Sequence, residues 1–288
     1  MKTKKMLTKE KIDFFYENGY LIIPEFYNEK EDVRPVQKGI YDIIKIVAKK
    51  YNVEISKKDF SPETFDEGYL DILKVDRIYG GEIYDAVKQI PAFIRLTSSY
   101  KNESLFKEVR KNCLPGMAAA GHGVRINNPF EEQYRASWHQ EYPAQLRSLD
   151  GLVFWSPLVP VTQNLGSVII CPGSQEEGAI PVYTQDSRNK DKQGAYSLVL
   201  KNEGELVKKY KHIAPLSKPT DLIIMDFLVI HSSGYNLSNR ALWSMQFRYF
   251  NFLETTGIGH GWKGGFASGV DFTKVHPELC AEKGIKND

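Results

Sequence analysis

Gly151-Leu152-Val153-Phe154-Trp155-Ser156-Pro157 is a run of aliphatic and aromatic residues entered through a glycine and closed by a proline, and it reads as a buried strand. The same pattern recurs on both sides of it. Residues 122–127, 135–140, 167–171, 196–200, 221–226, 229–232 and 241–252 are further short runs rich in Val, Ile, Phe, Tyr and Trp, separated by Gly, Pro and Asn clusters. Successive short strands with turn signals between them predict a β-barrel from residue 116 onward.

The chain before residue 116 has a different period. Thr8 is placed to cap a helix carrying Ile12, Phe14, Phe15 and Tyr16, which ends at Asn18-Gly19, where glycine supplies a left-handed C-terminal residue. A short strand, Tyr20 to Ile23, follows. Residues 29–51 space Ile40, Ile43, Ile44, Val47 and Tyr51 along one helical face, with Lys45 and Lys49 on the other. Residues 82–112 again look helical, broken near Pro91, which has no N–H to continue the ladder. The predicted class is therefore mainly β with helices, an α+β chain. It reads as one domain over residues 1–288, with a mostly helical part (1–115), a barrel core (116–255) and a C-terminal extension (256–288). Residues 186–194 are polar and are expected to form a solvated insertion or a lid.

The composition bounds the function. Thirty-eight basic against thirty-six acidic residues leave a formal charge of +2, too little for the broad positive field that nucleic acid needs. Cys113, Cys171 and Cys280 are odd in number and far apart, which gives no disulfide framework and points to a reducing compartment. The N-terminal Met1-Lys2-Thr3-Lys4-Lys5-Met6 runs into further charges without an apolar core, and no apolar run is long enough to span a bilayer. A cytoplasmic protein acting on a small molecule, as a monomer or small homo-oligomer and without nucleic acid or a membrane span, is the expectation.

Chemistry-bearing residues concentrate in Ser137-Trp138-His139-Gln140-Glu141-Tyr142-Pro143. In extended backbone, side chains alternate between faces, so His139 and Glu141 project together while Gln140 points away. A third ligand fits at His231, at the end of the apolar run Met225 to Ile230. Two imidazoles and one carboxylate can occupy one face of an octahedral iron(II) ion and leave the other positions open. Alone, such a spacing also arises by chance, and an isolated histidine is more often a satisfied core residue.

The flanking residues add context. Trp138-His139-Gln140-Glu141, Val153-Phe154-Trp155-Ser156-Pro157-Leu158, Gly166-Ser167-Val168-Ile169-Ile170-Cys171-Pro172-Gly173-Ser174, His231-Ser232-Ser233-Gly234-Tyr235-Asn236 and Trp243-Ser244-Met245-Gln246-Phe247-Arg248-Tyr249 follow one another along the chain, after an opening Phe15 to Ile23. In this order the sequence resembles the phytanoyl-CoA hydroxylase-like (PhyH) family of iron(II)- and 2-oxoglutarate-dependent dioxygenases. That resemblance implies a double-stranded β-helix of the jelly-roll, cupin-like type, iron ligands His139, Glu141 and His231, 2-oxoglutarate and dioxygen as cosubstrates, and Ser233 near the distal carboxylate of 2-oxoglutarate.

Two departures stand out. The family more often has aspartate where Glu141 stands, a change of reach more than of chemistry. An arginine early in the last strand usually pairs with the cosubstrate, and here that position is Leu242; Arg240, on the same strand face, is the expected substitute, whereas Arg248 lies farther along. Gln175 stands where the family often has histidine. Arg125, Tyr134 and Arg135 precede the metal motif and are candidates for the substrate mouth, with surface arginines as the commoner reading of such residues.

By this resemblance the reaction is hydroxylation of an aliphatic C–H through an iron(IV)-oxo species, with retention of Glu141 arguing against halogenation. The alternatives are a non-catalytic metal- or ligand-binding barrel and an iron oxygenase that does not use 2-oxoglutarate.

Overall fold

The computed structural model describes residues 5–56, 58–188, 190–192, 194–265 and 271–281. Helix α1 (Lys9–Asn18) starts at Thr8, whose hydroxyl accepts from the Lys11 amide, and stops at Gly19, where φ is 74° and the glycine N–H reaches the Phe15 carbonyl. Strand β1 (Tyr20–Ile23) follows, then a single π-helical turn (Glu29–Val33) that runs into α2 (Arg34–Lys50). Val36, Ile40, Ile44 and Val47 line the buried face of α2, as their spacing predicts.

The helical stretch expected at 82–112 is three helices: α4 (Arg77–Val87), α5 (Pro91–Thr97) and α6 (Tyr100–Val109). Pro91 occupies the first turn of α5, where its missing N–H costs nothing, so it starts a helix instead of kinking one. Before them lies α3 (Tyr69–Val75), which periodicity did not mark because it spans barely two turns.

The β-rich half contains β2 (Pro115–Met117), β3 (Gly123–Asn127), β4 (Gly151–Pro157), β5 (Val168–Ile170), β6 (Val182–Tyr183), β7 (Val199–Leu200), β8 (Leu222–Asp226), β9 (His231–Ser233) and β10 (Leu242–Asn251). Between β3 and β4 sits one helical turn, α7 (Glu141–Gln145). One sheet has the order β1-β8-β4-β10, with β2 and β3 both pairing β10. A smaller sheet pairs β5 with β9 and is extended on each side by single bridges, His139 to His231 and Ile170 to Ile213. These facing sheets form a double-stranded β-helix with helices packed outside it.

Parity along β10 shows how the sheet divides core from cavity. Trp243, Met245, Phe247 and Tyr249 are buried on the outer face; Trp243 meets Phe65 and Tyr69, and Tyr249 meets Phe106 of α6. Phe247 stacks on Phe154, its register partner in β4, at 5.0 Å between ring centroids. The opposite face carries Leu242, Gln246 and Arg248 into the space between the sheets, beside Val153 and Trp155 of β4 and Met225 of β8. The outer face thus belongs to the helix-packed core and the inner face to the site.

Three expectations need correction. Residues 135–140 form no strand; His139 contributes a single bridge, and Pro143, which lacks a donor, follows two residues into α7. The run 196–200 holds only the two-residue β7, paired with β6. The polar loop 186–194, in its described residues, is solvated only in part: Ser187, Arg188, Lys190 and Asp191 are exposed, but Asp186 is buried, and the Lys192 ammonium donates to the Ser137 hydroxyl at 2.9 Å. No helix among the described residues is long and apolar enough to cross a membrane.

Candidate metal centre

His139 and His231 are direct partners across one rung. The His139 N–H donates to the His231 carbonyl, and the reverse bond runs from His231 to His139, both at 3.0 Å. Residues paired this way present their side chains to the same face, and the two rings lie 4.2 Å apart between centroids.

Glu141 is held by the turn that leads into His231. The Phe227 carbonyl accepts from the Glu141 amide at 2.9 Å and from the Tyr142 amide at 3.2 Å. Between the two motif residues, Gln140 has extended backbone and turns outward, as alternation requires. Its amide nitrogen donates to the carbonyls of Gly178 and Leu228, both at 2.7 Å, and its amide oxygen accepts from the Ile180 N–H at 2.9 Å.

The histidine tautomers follow from their neighbours. His139 Nδ1 lies 2.7 Å from the Ser137 carbonyl, and His231 Nδ1 lies 3.0 Å from the Val229 carbonyl. A carbonyl only accepts, so each Nδ1 carries the hydrogen and each Nε2 offers its lone pair to the interior. Glu141 Oε2 is 3.6 Å from His231 Nε2. One donor atom from each of the three residues falls within 4.8 Å of the others, which is a set able to hold a metal ion.

Charge around the set favours ligation. Burial, with help from His231 and the nearby Arg125 guanidinium, pushes the His139 imidazole down to about 3, so it is neutral at physiological pH. Burial alone would raise the Glu141 carboxyl, but Arg248 and the two imidazoles outweigh it and hold it well below the usual carboxylate range. Arg248 Nε donates to Glu141 Oε1 at 2.9 Å, which leaves Oε2 as the oxygen facing the histidines.

Two cavities meet at this set. An inner one, about 50 Å³, lies between the sheets and is bounded by Trp155, Val168, Ser233, Leu242, Arg125 and Arg248. An outer one, about 900 Å³, opens past His139 and Glu141 toward Lys88 and Gln89 after α4, His122 before β3, Gln145 of α7 and Leu198. Glu141 is the single carboxylate among its described lining residues, whereas Lys88, Arg125 and Arg248 all border it. His122 Nδ1 and Gln145 Oε1 are buried there without a hydrogen-bond partner.

The other predicted site residues separate. Ser233 lines the inner cavity, and Arg125 lines both cavities. Arg240 does not reach either: its Nε and Nη2 grip the Asp66 carboxylate at 3.0 and 2.7 Å, outside the sheets. Same-face parity failed for Arg240 because it precedes the first residue of β10, where alternation no longer governs direction. Tyr134 has an exposed ring beneath Arg77, and its carbonyl accepts from Arg125. Arg135 pairs with Glu132 and donates to the Ser233 carbonyl, which steadies β9 without lining the larger cavities. Gln175 serves a packing role, with its amide nitrogen on the Tyr16 and Glu17 carbonyls. Sequence reading assigned no role to Gln246, His122 or Gln145; Gln246 lies two residues from Arg248 on the inner face of β10, and that parity was the one available signal.

Fold and metal-holding set together define a dioxygenase-type enzyme, and the chain belongs to the phytanoyl-CoA dioxygenase (PhyH) family, whose pattern it matches over residues 15–241. Solved structures of similar fold include EctD from S. alaskensis with bound Fe (14% identity, 87% of this chain and 79% of that chain, TM-score 0.56). The SnoK carbocyclase from nogalamycin biosynthesis, a non-heme alpha ketoglutarate dependent enzyme, is similar at 13% identity, 85% of each chain and a TM-score of 0.53. The SnoN epimerase of the same biosynthesis matches at 13% identity, over 84% of this chain and 82% of that chain, with a TM-score of 0.51. No curated protein matches the sequence.

Proposed function

We propose that this protein is an iron(II)- and 2-oxoglutarate-dependent dioxygenase that hydroxylates an aliphatic C–H of a small molecule. The observation that carries the reading is the convergence of His139, Glu141 and His231 at the junction of the two cavities. Two imidazoles and a carboxylate suit iron(II) with positions left open. EctD has been solved with 2-oxoglutarate and 5-hydroxyectoine, and SnoN with Fe3+ and alpha ketoglutarate, which supports the same pairing here.

Bound at this set, iron(II) with 2-oxoglutarate and dioxygen supplies the oxidising power for C–H cleavage. The protein's residues do the rest. Ser137 and Val229 carbonyls fix the imidazole tautomers, and Arg248 fixes the carboxylate rotamer. Ser233 borders the inner cavity, toward which the distal end of the cosubstrate would extend from the metal set. The outer cavity takes the substrate, with His122 Nδ1 and Gln145 Oε1 available to its polar groups and the lysine and arginines favouring an uncharged or anionic molecule over a cation. Because Glu141 keeps the third ligand position, hydroxylation is favoured over halogenation.

Anaerobic addition of iron(II) and 2-oxoglutarate to the metal-free protein is expected to give a weak visible charge-transfer band, and well-folded protein that gives none refutes the reading. Leu242 and the diversion of Arg240 to Asp66 favour one alternative, an iron oxygenase without 2-oxoglutarate. Substrate oxidation in the absence of 2-oxoglutarate distinguishes it.

A further inference from the structure

Resting on the reading that the outer cavity takes the substrate, we infer that a side cavity between α4 and β3 receives the far end of that molecule, and that this end is an uncharged aromatic ring. The side cavity holds about 330 Å³ and is walled in part by Tyr69 of α3, Gly80, Gly81 and Tyr84 of α4, Ile126 of β3 and Tyr134. Tyr84 and Arg125 border the outer cavity as well, so the two spaces adjoin there.

Gly81 is the residue that most needs an explanation. Glycine weakens a helix interior because it gives up more backbone freedom on folding than any other residue, and α4 has two in succession. Gly80 has a packing reason: a Cβ there would come within 2.5 Å of Leu73 Cδ1. Gly81 has no such reason, since a Cβ built on it meets nothing within 4 Å beyond its own stretch of helix. The space it borders is the side cavity, so what a side chain at this position would take away is room.

Polar groups around the cavity pair with one another. The Tyr69 hydroxyl donates to Asn128 Oδ1 at 3.0 Å, the Asn128 amide donates to Glu131 Oε2 at 2.7 Å, and Glu131 Oε1 accepts from Arg77 Nε at 2.7 Å. Asp85 is paired with Lys88 at 2.8 Å. A charged guest would have to compete with these pairs for its own partners, whereas an uncharged one leaves them whole. Three tyrosines supply ring surface, which another ring covers well in edge-on or offset contact. The Arg77 guanidinium lies over the Tyr134 ring, 4.6 Å from its centroid, and steadies that wall.

The test is isothermal titration calorimetry on Mn(II)-loaded full-length protein with 5-phenylpentanoate and with pentanoate, which has the same chain and carboxylate but no ring. Wild type is expected to bind the first at least ~10-fold more tightly, as burial of the ring's apolar area implies. Gly81→Leu, which fills the side cavity, is expected to bring the two within about twofold of each other by weakening 5-phenylpentanoate alone. Gly81→Ala is expected to keep most of the preference. Both variants should melt at or above the wild-type temperature, because each replaces a helix glycine with a better helix former, which separates lost ring binding from unfolding. A wild type without the preference, or a preference that survives Gly81→Leu, overturns the inference. So does a Gly81→Leu protein that loses pentanoate as well or melts well below wild type, since the space would then not be open. If the ring preference behaves as expected but iron(II) and 2-oxoglutarate give no charge-transfer band, the oxygenase reading falls while the ring site stands.

Discussion

Gln140 is the residue between two candidate ligands, and replacing it with leucine separates the role of its amide from that of its bulk. The side chain is 1% exposed and satisfies three backbone groups, the Gly178 and Leu228 carbonyls and the Ile180 amide. Leucine of similar size would leave all three without a partner. An unsatisfied buried group costs about 1–3 kcal/mol, so the sum for three is about 3–6 kcal/mol if the Gly178 to Ile180 segment partly opens to water. That is a large share of the stability of an ordinary domain. The segment also holds the backbone whose alternation directs His139 and Glu141 inward, so metal affinity should fall by about 10-fold, the lower end of effects on groups that orient ligands. Urea unfolding of metal-free Gln140→Leu gives the first quantity, and calorimetric titration with Mn(II) gives the second. A loss of stability under about 1 kcal/mol, with wild-type metal affinity, would refute the idea that this amide braces the site.

Further outcomes are expected. Glu141→Ala and His231→Ala should each lower 2-oxoglutarate turnover at least ~100-fold, read as succinate release, because either change removes a donor from the metal set. Arg240→Met should cost about 1–2 kcal/mol in unfolding experiments, since it strands the buried Asp66 carboxylate while its own partly exposed charge is screened, and should leave 2-oxoglutarate affinity within about twofold. Glu254 caps the helix at Thr255–His260 and accepts from the Leu149 amide; burial pushes its carboxyl up, but these amide bonds hold it below its ordinary 4.5. Its folded value is depressed, so its contribution to stability is complete above that ordinary value and is lost as pH falls through the folded one. Thermal melts from pH 6 to pH 3 should therefore show a steeper acid loss in wild type than in Glu254→Gln.

The sequence carried the strands that bury one or both faces. β4 and β8 were legible because each holds an apolar run longer than three, β10 because apolar residues alternate with Ser244, Gln246 and Arg248 along it, and α1 because Thr8 and Gly19 mark both of its ends. Convergence of residues 139, 141 and 231 was legible from alternation and one apolar run. Less visible were elements set by partners remote in sequence. α7 begins at Glu141 because Phe227, far along the chain, accepts both of its leading amides. The direction of Arg240 depends on Asp66, 174 residues away. Neither leaves a local signature. Arg125 was marked for the substrate mouth from its position before the motif; the register with β10 is what sets it beside the inner cavity.

The reciprocal bonds between His139 and His231 tie the orientation of both rings to a single step in the pairing of two chain segments. Sliding one segment by a residue would send one ring outward and install Trp138 or Gln140, or Ile230 or Ser232, in its place. The centre therefore comes into being only when the smaller sheet closes in one alignment, and metal added during refolding should select chains that have already found it.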